Sequence, residues 1–263
     1  MNRRLICLLS LLPALAFGQS MKNKGAPPPP PVVEDKTPRD ANKFAVLSLL
    51  GDNVQLISLS PARGDTVQSG DWTSTPAGGL DNAVLQALNG AIKASAKGRE
   101  VKLYTSSTRS LFGDPAHLFV DGRLSLPGKL GEAVRQSGAA QLLLVTRSRQ
   151  EPALAAALPG RILATLEGPG FVLDQRPSGQ ISFDGQGGMP VFASYVSIRV
   201  ALIDLSDLKL KREQSLAVAA RLPVDREAAA NPWAATTAEQ RVKALEALIE
   251  AELPKAVAGL VAP

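Results

Sequence analysis

The stretch "SIRVALIDLSDLKLKRE", residues 197–213, decides how the chain folds. Apolar and polar residues alternate up to Asp204, and a second alternating run, rich in Lys and Arg, starts at Lys209. Alternation places successive side chains on opposite faces of a strand, so two such runs joined by Asp-Leu-Ser-Asp predict an antiparallel hairpin. Upstream, Phe192, Val196, Ile198, Val200 and Leu202 share one face, with Ser194 the exception, while Tyr195, Ser197 and Arg199 lie on the other. The returning strand runs from Lys209 to Leu222. Asp204, beside Ser206 and Asp207, reads as the bend, its carboxylate taking hydrogen bonds from turn amides. The Ser206-x-x-Lys209 spacing matches that of penicillin-recognising enzymes, where both residues share a helical face. Between two strands it predicts no chemistry.

Working outward from the hairpin, the earlier half predicts strands and helices in turn. Phe44 to Leu50 is a short apolar run suited to a strand covered on both faces, and Gly51-Asp52-Asn53 turns into a second strand, Val54 to Leu59. Leu80, Val84, Leu88, Ala91 and Ile92 form one helical stripe that Gly98 ends. A strand follows from Glu100 to Thr105. Ser125-Leu126-Pro127 starts a second helix, with Leu130, Ala133, Val134 and Ser137 inward and Gly138 at its end. "QLLLVTRS", residues 141–148, is another buried strand. Beyond the hairpin, Thr236-x-x-Glu239 and Thr237-x-x-Gln240 are overlapping capping boxes for a last helix striped by Val242, Leu245, Leu248, Ile249 and Leu253. Pro254 predicts a kink or an end there. The fold class is therefore α/β: a single mixed-sheet domain over 44–263, ordered strand-strand-helix-strand-helix-strand, then the hairpin and a C-terminal helix.

Residues 149–190 interrupt this order. "EPALAAALPGRILATLEG" is ambiguous, a short helix and then a strand, and Gly168, Gly170, Gly179, Gly185, Gly187 and Gly188 follow with prolines among them. So long a loop inside a compact domain marks function or mobility. The expected partner surface takes Gly168, Gly170, Phe171, Phe183, Gly187 and Gly188 from this insertion. Lys209, Lys211 and Arg212 from the hairpin edge join it, together with Trp233. Trp72 and Trp233 both fall in loop-like segments, each either a plug at the core margin or a contact anchor.

The amino terminus predicts export. Asn2-Arg3-Arg4 precedes an apolar core from Leu5 to Leu12, Pro13 breaks it, and small residues at Ala14, Ala16 and Gly18 suit cleavage, so residues 1–18 read as a signal peptide. The apolar run is well short of the roughly 20 residues a spanning helix needs. The single cysteine, Cys7, lies inside it and is poorly placed for lipid attachment, so a cleaved chain would carry no disulfide or thiol chemistry. Residues 19–43 are a linker in which Pro27 to Pro31 favour polyproline II, either a stiff spacer, a ligand for a proline-binding groove, or simply a disordered terminus. The expected location is the periplasm, with no transmembrane segment in the mature chain.

Chemistry is sparse. The formal charge of +5, two units of it from Arg3 and Arg4, decides little in so long a chain. In an exported protein it points to anionic envelope polymer or lipid head groups, or to solubility alone, and no nucleic acid is expected as a partner. His117, the one histidine, stands near Asp114 without the further ligands that zinc needs. No Gly-x-Ser-x-Gly elbow is present. No Gly-Lys-Ser/Thr phosphate cradle is present either. No catalytic residue, metal or cofactor is assigned.

The order of elements resembles the amino-terminal domain of TolB and the envelope lipoproteins CsgG and LpoB. It does so through Phe44 to Leu50, "LGEAVRQSGAAQLLLVTRS" at 130–148 and "YVSIRVALIDLSDLKLKRE" at 195–213, with Leu202-Ile203-Asp204 at the end of the first hairpin strand. The chain departs from them in lacking a lipobox and propeller repeats and in carrying the insertion. The resemblance implies a non-enzymatic envelope component that acts through protein contacts. Binding of an anionic envelope polymer or a small ligand is the alternative, and a hydrolase comes third.

Overall fold

The computed structural model describes residues 38–59, 71–75, 79–150, 166–174, 191–224 and 231–262. The signal-peptide segment, the proline run and the 175–190 part of the insertion, with Phe183, Gly187 and Gly188, lie outside the described residues.

The hairpin is the spine of the molecule. Strand β10 (Val191–Asp204) pairs antiparallel with β11 (Leu210–Arg221) in a register running from Ala193 opposite Arg221 to Ile203 opposite Leu210. On its other edge β10 carries two strands end to end. Strand β9 (Leu166–Asp174) pairs with Val191 to Ser197, and β7 (Ala139–Arg147) with Ile198 to Asp204. Ser148 forms the splice, donating its N–H to Ser197 O at 3.0 Å and accepting from Gly168 N at 3.3 Å.

The next row is spliced in the same way. Strand β1 (Asp40–Leu49) lies parallel to β7, and β2 (Asn53–Leu59) lies parallel to β9. Outermost are β3 (Asp71–Ser74), antiparallel to β2, and β4 (Glu100–Tyr104), parallel to β1. A short strand, β8 (Arg149–Gln150), pairs with the start of β9 and completes a nine-stranded mixed sheet. A two-strand ribbon, β5 (Phe119–Val120) with β6 (Arg123–Leu124), is separate from the sheet but touches the hairpin bend, Leu124 N donating to Leu208 O at 2.8 Å.

Both faces of the sheet are covered, as alternation inside an α/β layer structure requires. Val46 of β1 and Leu50 just after it, Leu143 and Val145 of β7, and Phe192, Val196, Ile198, Val200 and Leu202 of β10 meet helices α1 (Gly79–Ser95) and α4 (Ala238–Val261). The alternate residues, Ala45, Leu47, Leu49, Leu142, Leu144, Ala201 and Ile203, pack with Val134 of α2 (Gly128–Arg135) and with Leu111 and Leu118 of two 3-10 turns. Helix α1 leads towards β4 on one face and α2 leads back to β7 on the other, the arrangement expected of right-handed crossovers.

The α/β class, the hairpin and the C-terminal helix stand as expected, and several boundaries move. The expected linker reached residue 43, but β1 begins at Asp40: Arg39 donates to Arg135 O at 2.7 Å, and Lys43 pairs with Glu100 at 3.0 Å. The loop assigned to Trp72 is strand β3, and that assigned to Trp233 is a short helix, α3 (Pro232–Ala235), capped by Asn231. Of the two capping boxes only Thr237 with Gln240 forms, because Thr236 Oγ1 bonds instead to Pro232 O at 2.5 Å. Helix α4 does not end at Pro254. It continues to Val261, and that extension buries Val257, Leu260 and Val261 against the core.

Candidate functional site

The splice is where the sheet offers a cleft. The carboxyl ends of the parallel strands β1 and β7 meet there, and the segment after β4 folds over them. In open α/β sheets a crevice outside the carboxyl ends of parallel strands, where connections leave to opposite faces, is the usual place for a ligand. Here Gly113, Asp114, Pro115, Arg147, Arg149 and Glu167 line a space of about 250 Å³.

Arg147 is its fixed element. As the last residue of β7 it reaches across the splice, its Nε donating to Leu50 O at 2.7 Å and its Nη2 to Asn53 O at 2.9 Å. Its guanidinium carbon lies 4.9 Å from the centre of the Trp72 ring. Its stem runs over Gly168, whose backbone has φ +65°, and a β-carbon there would stand 3.0 Å from Arg147 Cγ. Burial lowers the pKa of the guanidinium, against the pull of Glu167, Asp81, Tyr195 and Asp52, but from so high a starting value that the group stays charged.

Around Arg147 the other charged groups are engaged elsewhere. Arg149 Nε holds Glu167 Oε2 at 2.7 Å. Asp114 caps a 3-10 turn by accepting from Ala116 N at 2.9 Å, leaving His117 as an ordinary turn residue. Asp81, buried in the first turn of α1, accepts from Ser48 Oγ at 2.6 Å, Leu50 N at 2.9 Å and Gly51 N at 3.2 Å. Burial raises the Asp81 carboxyl, and those three donors oppose the rise. This carboxylate ties the start of α1 to the turn between β1 and β2.

The expected contact residues fall into different roles. Gly168, Gly170 and Phe171 are not on a loop: they lie inside β9, all three paired with β10 and the last two also with β2. Gly170 passes under Tyr195, whose hydroxyl donates to Gln55 Oε1 at 2.5 Å. Phe171 is fully buried, 5.6 Å from Phe192 and 5.5 Å from Trp233, ring centre to ring centre. Trp233 is thereby a plug at the core margin, roofed by the Arg241 guanidinium at 3.9 Å. Trp72 is the exposed tryptophan, at 45%.

Lys209, Lys211 and Arg212 stay at the hairpin, away from the cleft. Lys211 bonds Asp204 at 2.7 Å, Arg212 bonds Gly259 O at 3.0 Å, and Lys209 stands 3.9 Å from Asp207. Asp204 accepts from Ser206 N at 2.8 Å and Ser206 Oγ at 2.7 Å, as the bend required.

The sequence reading missed Arg147, Arg149, Glu167 and Asp81. Two arginines closing an apolar strand were a signal for the first pair. Asp81, three residues before Val84 on the inner face of the helix, was a signal for the last. Nothing local marks Glu167.

No helix among the described residues is long and apolar enough to cross a membrane. No protein-family model matches the chain, and no curated protein does. Solved structures do match. A Xanthomonas campestris protein of family DUF330 is 13% identical, with 86% of this chain and 90% of that one covered, at a TM-score of 0.35. A PelC dodecamer from Paraburkholderia phytofirmans is 13% identical over 86% and 94%, at 0.30. A neuraminyllactose-binding hemagglutinin homologue from Helicobacter pylori is 7% identical over 84% and 88%, at 0.32.

Proposed function

We propose that this chain is an exported, non-enzymatic component of the cell envelope that binds another envelope protein, and that β11 is its contact edge. The leader-like residues 1–18 and the resemblance to TolB, CsgG and LpoB support export and the adaptor class. One observation carries the surface. Among the described residues β11 pairs only with β10, so twelve residues of backbone form a sheet edge. Its first half is guarded by Lys211, Arg212 and Glu213, as edges usually are. Its second half, Leu216 to Ala220, carries no charge. An extended segment of a partner can add to such an edge through main-chain hydrogen bonds. The anionic-polymer alternative has less support, since Lys211 and Arg212 are engaged by Asp204 and Gly259.

The test is crosslinking in intact cells from Ser215, followed by affinity capture, beside an Ala217→Lys variant. Ala217 faces Ser197 and, among the described residues, packs in no apolar cluster, so lysine guards the edge without opening the core. One dominant partner, lost in the variant, is the expected result. Recovery of the protein alone sinks the reading.

A further inference from the structure

We infer that the cleft at the splice binds a small monoanion, a monocarboxylate being the simplest, through the guanidinium of Arg147. This inference does not rest on the β11 contact and would survive its failure.

Among the described residues Arg147 is the one cation lining the cleft without an ion pair, though Glu167, Asp81 and Asp52 act on it from further away. Arg149 and Glu167 satisfy each other, Asp81 is committed to three donors, and Asp114 caps its turn. Both hydrogen bonds of Arg147 go to neutral carbonyls, and among the described residues no carboxylate is in ion-pair contact with it. A guanidinium presents its donors in a planar fork that matches a carboxylate. The two carbonyl bonds occupy Nε and Nη2, and Nη1 makes no hydrogen bond among the described residues. The carbonyls, the Trp72 ring and the close approach to Gly168 fix the group beforehand, so binding an anion orders little that is not already ordered. Partial burial has already removed part of its water, which strengthens the pull on a counter-charge.

Size and rim charge set the class of ligand. The cleft, about 250 Å³, lies below the roughly 300–1,000 Å³ of pockets for drug-sized molecules, so it suits a small molecule. Among the described lining residues Arg147 and Arg149 balance Asp114 and Glu167, so one bound anion already tips the cleft negative and a second negative charge is repelled. A monoanion gains Arg147 and avoids that repulsion, whereas a dianion does not.

Trp72 and Trp233 supply the readout, since each gives one indole N–H signal in a nitrogen-proton spectrum and the chain has two tryptophans. The purified protein is titrated at pH 8 and constant ionic strength with butyrate and, separately, with inorganic phosphate, which is then mostly a dianion. The Trp72 signal should move saturably with butyrate while Trp233 stays still, and phosphate should bind at least tenfold more weakly. Arg147→Lys should weaken butyrate at least tenfold, and Glu167→Gln should narrow the gap between the two anions. A Trp72 signal that does not move, or moves alike with chloride, butyrate and phosphate, overturns the proposal. Unchanged butyrate binding in a folded Arg147→Lys protein also overturns it. If that variant does not fold, Glu167→Gln decides alone: an unchanged ratio of the two affinities rejects the site.

Discussion

Gly170 runs so close beneath Tyr195 that a β-carbon on it would stand 2.4 Å from the phenolic oxygen, and equally 2.4 Å from Gln55 O. The glycine is what lets β9 lie flat between β2 and β10 while the buried tyrosine keeps its bond to Gln55. Gly170→Ala should therefore cost about 3 kcal/mol or more, as overpacking against backbone does. Denaturant unfolding of the variant measures it, and a change below about 0.5 kcal/mol would show that β9 does not pass there.

Phe171 and Trp233, expected from sequence to meet a partner, should behave as core. Phe171→Ala should lose about 3–5 kcal/mol, and Trp233→Ala somewhat less because Trp233 is half-buried. Trp72→Ala should move stability much less, by about 0.5–1 kcal/mol, with the stacked Arg147 as its main contact. Thermal melts of the three variants rank them.

Asp204 gives the hairpin a pH signature. Partial burial would raise its carboxyl, but hydrogen bonds from the side chains of Lys211 and Ser206, the Ser206 N–H and the Lys211 charge together bring it from 3.8 down to about 2. A lowered acid pKa stabilises the fold above the unfolded value, and the gain is lost as pH falls from about 4 towards 2. Asp204→Asn should cost about 1 kcal/mol at pH 6 and almost nothing near pH 2, by unfolding at several pH values. A cost that does not depend on pH would contradict the assignment.

Pro254 sits inside α4 with no N–H to offer the preceding turn. Pro254→Ala should raise stability by about 1–3 kcal/mol, since the helix already continues past it. A melting temperature that falls would mean that the proline ring, and not the continued helix, holds Val257 and Leu260 in place.

The alternation in 191–204 and the stripes of α1 and α4 were legible because each follows from burial on a fixed period. The insertion was not. Gly168-Pro169-Gly170 has the punctuation of a loop, yet each residue has a reason to stand in a strand. Gly168 adopts positive φ under the Arg147 stem, and Gly170 clears Tyr195. Pro169 precedes the point at which β2 starts to pair, so its missing N–H breaks no bond on that side. All three reasons are contacts with distant residues, which no local pattern carries. The cleft was hidden for the same reason: Arg147 and Glu167 come together only because the chain leaves the row at Ser148 and rejoins it at Gly168. Pro254 misled in the opposite sense, since its local penalty is outweighed by three buried residues beyond it.

The spliced rows also set an order of assembly. Strand β1 lies beside β7, about a hundred positions later, and neither β7 nor β9 has its other neighbour until β10 is made. The pairings of β1 with β7 and β4, of β2 with β9 and of β7 with β10 thus join distant parts of the chain, which makes for slow folding. A chain truncated before residue 191 would hold two half-sheets joined, among the described residues, only through Ser148 and β8, with open strand edges on each. Such fragments should aggregate instead of folding, and a growing chain should stay unfolded until β10 and β11 are present. The strands that complete the sheet, β10 and β11, are thus among the last parts of it to be synthesised.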